Sequence, residues 1–381
     1  MERGEVCGAC CVGGHRRALG GVDATHPDQV RASERKGRAK GKYPLTVEGS
    51  AYTVVMSNRK NPTRVTASEP RFSVMEFMAE FPDDDACLAH LWRTRYSPDG
   101  EHALCPDCGV ERTFHKYANG DGRQSWTCTH CGRHVHPTAG TIFHKSSTSL
   151  HLWYYALFLI TSTRCDISAK QLERELGVTY KTAWRMFTVI RNSLMSQDNL
   201  TVVLGGKVEM DETYLTRQRR LSDGPGQHGR SLNERVTMGA VERQGQVVVK
   251  YVPAATLIEA SRLARVHLLP SSTIFTDEFR MYDDLEGLEV ASHYRVRHSA
   301  KVYVDGDVHT QTIGGFWSLV KGGLRGVYRS VSTKWLQSYL DEYAWRYNHR
   351  EFTPRIRGVK RVPVGEAKLR LLLELACRPV R

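Results

Sequence analysis

No run of about 18 apolar residues occurs in this 381-residue chain, so no segment reads as a membrane-spanning helix. The most apolar stretch, Leu150 to Thr161, is too short and carries His151. The N-terminus lacks the positive-then-apolar profile of a secretory signal. A disulfide framework is also missing: Cys105, Cys108, Cys128 and Cys131, four of the ten cysteines, form two matched Cys-x-x-Cys pairs, the habit of a cytoplasmic metal-binding protein. Disorder is excluded for most of the chain, because 40% of the residues are apolar and only 25% are charged.

The middle of the chain lacks net charge. The total is +13, yet residues 75–354 hold 33 basic and 32 acidic side chains. Residues 1–74 hold 13 basic and 7 acidic ones, and 355–381 hold 8 and 2. Polyanion affinity from composition alone would therefore be a property of the two ends, where basic residues serve equally well for solubility.

The patterning divides the chain into five parts. Residues 1–74, rich in Gly, Arg, Ser and Pro, read as a basic, disordered extension in which Cys7, Cys10 and Cys11 are incidental. Residues 75–146 hold short helices broken at Pro82 and then a compact cysteine module. Residues 147–199 read as two or three helices. Residues 200–353 change period: strands at 206–215, 235–242, 246–253 and 272–277 surround a helix at 256–268, and helices fill 311–350. Residues 354–381 read as a basic tail with non-specific DNA affinity. Strands, a crossover helix, a further strand and then helices predict an α/β core.

Cys105-Pro-Asp-Cys108 and Cys128-Thr-His-Cys131-Gly stand 19 residues apart. Two such knuckles joined by a hairpin offer four thiolates to one tetrahedral Zn2+, with Trp126 and Gly132 in keeping with a ribbon. Four thiolates close the shell, so this zinc would be structural, and His130, His134 and His136 read as surface or phosphate-contacting residues. Further on, Ile167 to Met186 has the form of a helix-turn-helix. A first helix ends at Gly177, Val178 packs under the turn and Thr179 caps a second helix. Lys181, Thr182 and Arg185 would then face a DNA groove or its phosphates. An ordinary helical hairpin shares the pattern; the adjacent ribbon favours DNA binding.

Val208-Glu-Met-Asp211-Glu-Thr-Tyr places an acid inside a strand, where β-propensity disfavours it. Ser272-Thr-Ile-Phe-Thr-Asp277 ends a second strand on another acid. Each alone reads equally as a turn or strand-end acid; together they can meet at a sheet's carboxyl edge and hold divalent ions for displacement at phosphorus. On the helix at 333–350, Trp335, Tyr339, Tyr343 and Tyr347 share one face, the habit of a core stripe more than of a DNA-stacking platform. Arg346 and Arg350 beside them could track phosphate or be solvated.

The order of zinc ribbon, helix-turn-helix, Val-Glu-Met-Asp211-Glu-Thr-Tyr, Phe-Thr-Asp277, His309-Thr-Gln-Thr-Ile-Gly314-Gly-Phe-Trp317-Ser-Leu-Val-Lys321 and Tyr343-Ala-Trp-Arg-Tyr-Asn-His-Arg350 resembles a bacterial or archaeal insertion-sequence transposase. The similarity is to the group with an N-terminal zinc ribbon and an acidic-triad (DDE-type) catalytic domain, insertion sequence family 1595, and runs from about Met75 to Arg350. It implies a ribonuclease-H-like mixed sheet that cuts and joins DNA with Mg2+. It also implies transposon inverted-repeat ends and target DNA as partners, and a homodimer or larger assembly on DNA. Asp211 and Asp277 match the first two metal-binding acids, and Lys321 matches the basic residue seven positions past the third. At that third position stands Gly314, which has no side chain to offer. Two readings follow: a copy disabled or reduced to DNA binding, or a site completed by Gln311, Glu278 or Asp307.

Overall fold

Ser73 starts the first described helix with a capping box. Its hydroxyl accepts from the Glu76 amide at 3.2 Å, and the Glu76 carboxylate accepts from the Ser73 amide at 2.6 Å. The computed structural model describes residues 72–118, 124–163, 166–215, 235–283, 285, 292–300, 304–350 and 364–379. Cys7, Cys10 and Cys11 lie outside the described residues. Two short helices, α1 (Val74–Glu80) and α2 (Asp84–Arg95), are separated where Pro82 interrupts them.

Strands β1 (His102–Leu104), β2 (Glu111–Ala118), β3 (Gln124–Cys128) and β4 (His134–Val135) form an antiparallel meander. Trp126 lies flat on Trp92 of α2, ring centroids 4.9 Å apart at 11°, and so fixes the meander to the helices through apolar contact.

Three helices fill the next segment: α3 (Leu150–Ser162), α4 (Ala169–Leu176) and α5 (Tyr180–Val189). The last runs on through a π-helical stretch, Ile190–Met195, into α6 (Ser196–Asn199). Helix α3, apolar on most of its sides, is enclosed by α2 and by a C-terminal helix, α10 (Val364–Cys377). That helix corrects the basic-tail expectation for 354–381. Leu369, Leu372, Leu373 and Ala376 recur at helical spacing and are all buried, a periodicity that a count of Lys and Arg conceals.

The second layer is a five-stranded sheet of β5 (Lys207–Leu215), β6 (Arg235–Glu242), β7 (Val247–Val252), β8 (Thr273–Asp277) and β9 (Ser292–Val296). Its order is β7-β6-β5-β8-β9; β7, β6 and β5 are antiparallel, while β5, β8 and β9 are parallel. Helix α7 (Leu257–His267) makes the crossover from β7 to β8 and covers one face. Helices α8 (Gln311–Gly326) and α9 (Thr333–Asn348) cover the other. Three antiparallel strands followed by two parallel ones on the far side of the first is the ribonuclease-H-like arrangement. Four strands and α7 follow the apolar runs; β9, Ser-His-Tyr-Arg-Val at the sheet's edge, has no apolar run to announce it.

Candidate functional site

Strand β5 is alternately directed at α7 and at α8. Val208 and Met210 enter the α7 core, while Glu209, Asp211 and Leu215 belong to the α8 face. Its parallel ladder with β8 pairs Lys207 with Thr273, Val208 with Ile274 and Glu209 with Phe275. Continued two residues past its last pair, the same stagger brings Asp211 and Asp277 to that face, close enough for the Asp277 charge to act on Asp211. The two acids anticipated from separate segments thus come together where β8 ends.

Asp211 is held by an aromatic donor. The Trp317 indole donates to its Oδ2 at 3.0 Å. On the opposite side Asp211 pairs with Gly239 of β6, where a Cβ would stand 2.9 Å from the Trp317 ring and 3.2 Å from Ile313. Glycine at 239 is what lets the indole cross the sheet to reach the acid. Burial first, then the neighbouring charges of Glu212 and Asp277, push the Asp211 carboxyl up to about 7, against the lowering pull of the indole bond. Asp277 is oriented by its own turn, its Oδ1 accepting from the Phe279 amide at 3.0 Å. Glu212 points the other way and accepts from the Tyr282 hydroxyl at 2.9 Å.

Glu209 has a role that the sequence pattern did not suggest. It is fully buried, and its carboxylate accepts from the amides of Thr312 and Ile313 at 2.8 and 3.1 Å and from the Thr312 hydroxyl at 2.9 Å. Arg243 donates to it at 2.7 Å, and His309 stands 3.2 Å away. Thr310, the residue before α8, makes no side-chain cap, so a strand carboxylate two residues from Asp211 caps this helix instead. The signal was available: two acids at i and i+2 share one strand face, and only one is needed beside Asp277.

Helix α8 carries Gly314 in its second turn, exposed, with open space where a side chain would stand. Lys321 lies seven residues on, on the same face and half-buried. Both acids considered as substitutes for the missing one have partners of their own. Asp307 is paired with Lys207 at the start of β5, four residues from Asp211, which is about 13 Å along a strand. Glu278 accepts from the amide and hydroxyl of Ser299 at 2.6 and 2.7 Å. Gln311 is exposed at the first turn of α8. Among the described residues no third His, Cys, Asp or Glu forms a ligand cluster with Asp211 and Asp277.

In the helix-turn-helix, Gly177 adopts the left-handed conformation at φ 64° and ends α4, and the Thr179 hydroxyl accepts from the Thr182 amide at 3.3 Å to start α5. Lys181 and Arg185 are exposed one turn apart. Thr182 is half-buried, and its hydroxyl lies 3.0 Å from that of Thr179.

The helix-turn-helix is joined to the sheet layer by a buried ionic cluster. Arg191, on the π-helical stretch, donates to Glu342 of α9 at 2.8 Å, and both are almost fully buried. Arg346 donates to the other Glu342 oxygen at 2.9 Å and to the Thr163 carbonyl at 3.2 Å, and lies 3.5 Å from Asp166. Burial, and then the Glu342 charge, push the Asp166 carboxyl up to about 7. Arg346 is therefore committed to the interior, not to phosphate or solvent. Arg350 donates to the Gly245 carbonyl and stacks on Tyr347. Tyr339 and Tyr343 are core residues, as a helical stripe usually is.

The four ribbon cysteines lie with their sulfurs within 4.8 Å of one another. Cys105 and Cys131 stand 3.5 Å apart. Thiolates around one tetrahedral zinc stand about 3.8 Å apart, so the set fits such an ion. Positive-φ Gly109 and Gly132 close the two knuckles. The backbone amide of Cys131, with that of His130, lowers the Cys128 thiol, while the neighbouring cysteines raise Cys108 and, with burial, Cys131, as expected of thiols crowded together. His130, His134 and His136 are exposed.

Residues 82–134 match the transposase zinc-ribbon domain, and residues 203–348 match the ISXO2-like transposase domain. A Halobacterium salinarum protein described as an uncharacterized protein in transposable element ISH50 is 30% identical over 288 residues, 71% of this chain and 90% of that protein. An uncharacterized transposase-like protein of Haemophilus influenzae is 33% identical over 119 residues, 31% of this chain and 92% of that protein. Among solved structures, the Mos1 strand transfer complex matches 52% of this chain and 73% of its own at 15% identity and a TM-score of 0.23. The Mos1 mariner paired-end complex with Mn matches 51% and 73% at 14% and 0.22. With both domain matches and a relative in a transposable element that it covers almost throughout, the chain belongs to the ISXO2-like transposases, insertion sequence family 1595.

Proposed function

We propose that this protein binds the inverted-repeat ends of an insertion element through its ribbon and helix-turn-helix and cuts and rejoins DNA at the Asp211–Asp277 site. The observation that carries the reading is the placement of these acids side by side on the face that α8 covers, with Lys321 of that helix to steady a phosphate. Two adjacent carboxylates, one of them raised by burial first and then by neighbouring charge, fit one divalent ion, Mg2+ in this reading, which would keep its other positions for water and substrate oxygens. Held by Asp211 and Asp277, such an ion would supply activation of the attacking water and neutralisation of charge at phosphorus. Trp317 fixes the Asp211 rotamer, Glu209 fixes the helix that brings Trp317, and Lys181 and Arg185 engage the backbone of the end duplex. Hydrolysis of the terminal phosphodiester frees a 3′ hydroxyl, which then attacks a phosphodiester of target DNA. Joining both ends calls for at least two chains. No described helix is long and apolar enough to cross a membrane, and chromosomal DNA as substrate places the work in the cytoplasm.

The test is nicking of a labelled transposon-end duplex with Mg2+ or Mn2+. Metal-dependent nicking that Asp211→Ala abolishes supports the proposal; nicking that survives Asp211→Ala overturns it. Gly314 favours one other reading, a DNA-binding copy that occupies ends without cutting, and specific binding without nicking would establish it.

Two further outcomes are expected. Metal affinity should fall as pH drops through about 7, because the ion competes with a proton for the raised Asp211 carboxyl. Calorimetry should show roughly tenfold weaker Mn2+ binding per pH unit below that point, with proton release on binding. Equal affinity at pH 6 and pH 8 would contradict the assignment. Second, the purified chain should carry one zinc per polypeptide. Its removal by a strong chelator should expose Trp126 and shift tryptophan emission to longer wavelength, since ribbons of this size depend on their metal for folding. Metal-free protein with unchanged emission would refute a structural zinc.

A further inference from the structure

A cavity of about 350 Å³ lies where the helix-turn-helix meets the turn between α8 and α9. Its walls include Tyr180 and Trp184 of α5, Trp335 and Tyr339 of α9, and Lys170 and Arg329. The Trp184 and Trp335 rings stand 5.8 Å apart at 85°, and Tyr180 lies nearly parallel to Trp184 at 6.4 Å. One wall is held firm by the ionic cluster. The Arg191 guanidinium sits 3.9 Å from the Tyr339 ring while bonded to Glu342 and to the Tyr328 hydroxyl. The turn itself holds Arg329 at φ 57°, a conformation that side chains other than glycine seldom adopt.

We propose that this cavity takes one unpaired nucleotide of the DNA bound by α5, its base against the indole faces and its phosphate near Lys170 and Arg329. The inference rests on the DNA-binding reading given above. Three features select this occupant. Aromatic faces accept any base by stacking, whereas bases within a duplex already use both faces on their neighbours. Cations stand with those faces: Lys170 Nζ lies 5.9 Å from the Tyr180 ring and Lys334 Nζ 5.1 Å from the Trp335 ring. Finally, Tyr180 and Trp184 directly precede Lys181 and Arg185 along α5, about 100° around the helix, so a backbone tracked by the cations would run along the flank next to the cavity. Because Trp335 belongs to the sheet layer and Trp184 to the helix-turn-helix, a base stacked on an outer face of this edge-to-face pair would mark a distorted site in contact with both.

The test uses the full chain and two labelled duplexes of one sequence, fully paired or carrying one bulged 2-aminopurine, at fixed salt. The bulged duplex should bind about tenfold more tightly, the usual gain from one stacked base, with quenching of the 2-aminopurine. Trp335→Leu should remove both the preference and the quench without weakening the paired duplex. Tyr180→Ala, at an exposed position, should reduce both should the first variant fail to fold. Lys181→Ala should weaken both duplexes alike. Equal affinity for the two duplexes, or a preference that survives both aromatic substitutions, overturns the cavity proposal while leaving DNA binding intact. Failure of the unaltered chain to bind either duplex overturns the DNA-binding reading and this inference with it.

Discussion

Gly314→Glu is expected to raise metal-dependent nicking of an end duplex by at least ~100-fold, the upper range for groups that support a metal site. The position is exposed on α8, and an added Cβ meets open space, so the new side chain has room. Its carboxylate would rise from the helix that Glu209 and Trp317 anchor over Asp211, giving the ion a third protein ligand. A second effect is separable. Glycine inside a helix costs about 1 kcal/mol relative to alanine, so any side chain at 314 should stiffen α8. Gly314→Ala provides the control, restoring helix propensity without a ligand. Thermal midpoints should rise for both variants, and nicking only for Gly314→Glu. Asp211→Asn in the Gly314→Glu background should return activity to nothing. If Gly314→Glu binds ends and metal yet cuts no faster than the parent, the third-ligand argument is wrong.

The largest loss of stability is expected from Glu342→Leu. Arg191 and Arg346 both point at this one carboxylate in a fully buried setting, and without it two guanidinium groups remain in the interior. Breaking a buried pair by removing one partner costs about 3–5 kcal/mol, a large share of the roughly 5–15 kcal/mol by which domains are stable. Urea unfolding at neutral pH should show the midpoint falling sharply, or no folded protein at all. Replacing all three residues together with apolar ones of similar size should recover much of the loss, since well-packed apolar groups often equal a buried ion pair. A change below 1 kcal/mol in Glu342→Leu would mean that Asp166 takes over both arginines.

Much of the architecture is written in local patterns. Strands β5 to β8 appear as apolar runs, the turn at Gly177 as a glycine ahead of a capping threonine, and the ribbon as two knuckles. Those signals are local because they arise from backbone preference and ligand spacing. What escaped depends on partners far along the chain. Glu209 looks like one more polar residue on an alternating strand until Thr312 and Ile313, over a hundred positions later, present their amides to it. Arg346 looks like surface charge until Glu342 and Asp166 enclose it. Strand β9 has no apolar run because it sits at the sheet's edge, paired on one side only. The two acids of the site could be named from sequence, but that they stand at one register position, with an indole aimed at one of them, needed the ladder between β5 and β8.

The docking of α10 against α3 bears on how the protein is made. Helix α3 leaves the ribosome some two hundred residues before the helix that covers it, so its apolar flank waits through synthesis of the entire sheet layer. The helical layer around α3 is thus translated before the sheet and completed after it. A polypeptide interrupted after the catalytic strands would expose Trp153, Leu157 and their neighbours to chaperones and proteases. Truncation before α10 is therefore expected to lower the amount of folded protein, as soluble yield of a chain ending at residue 353 would show.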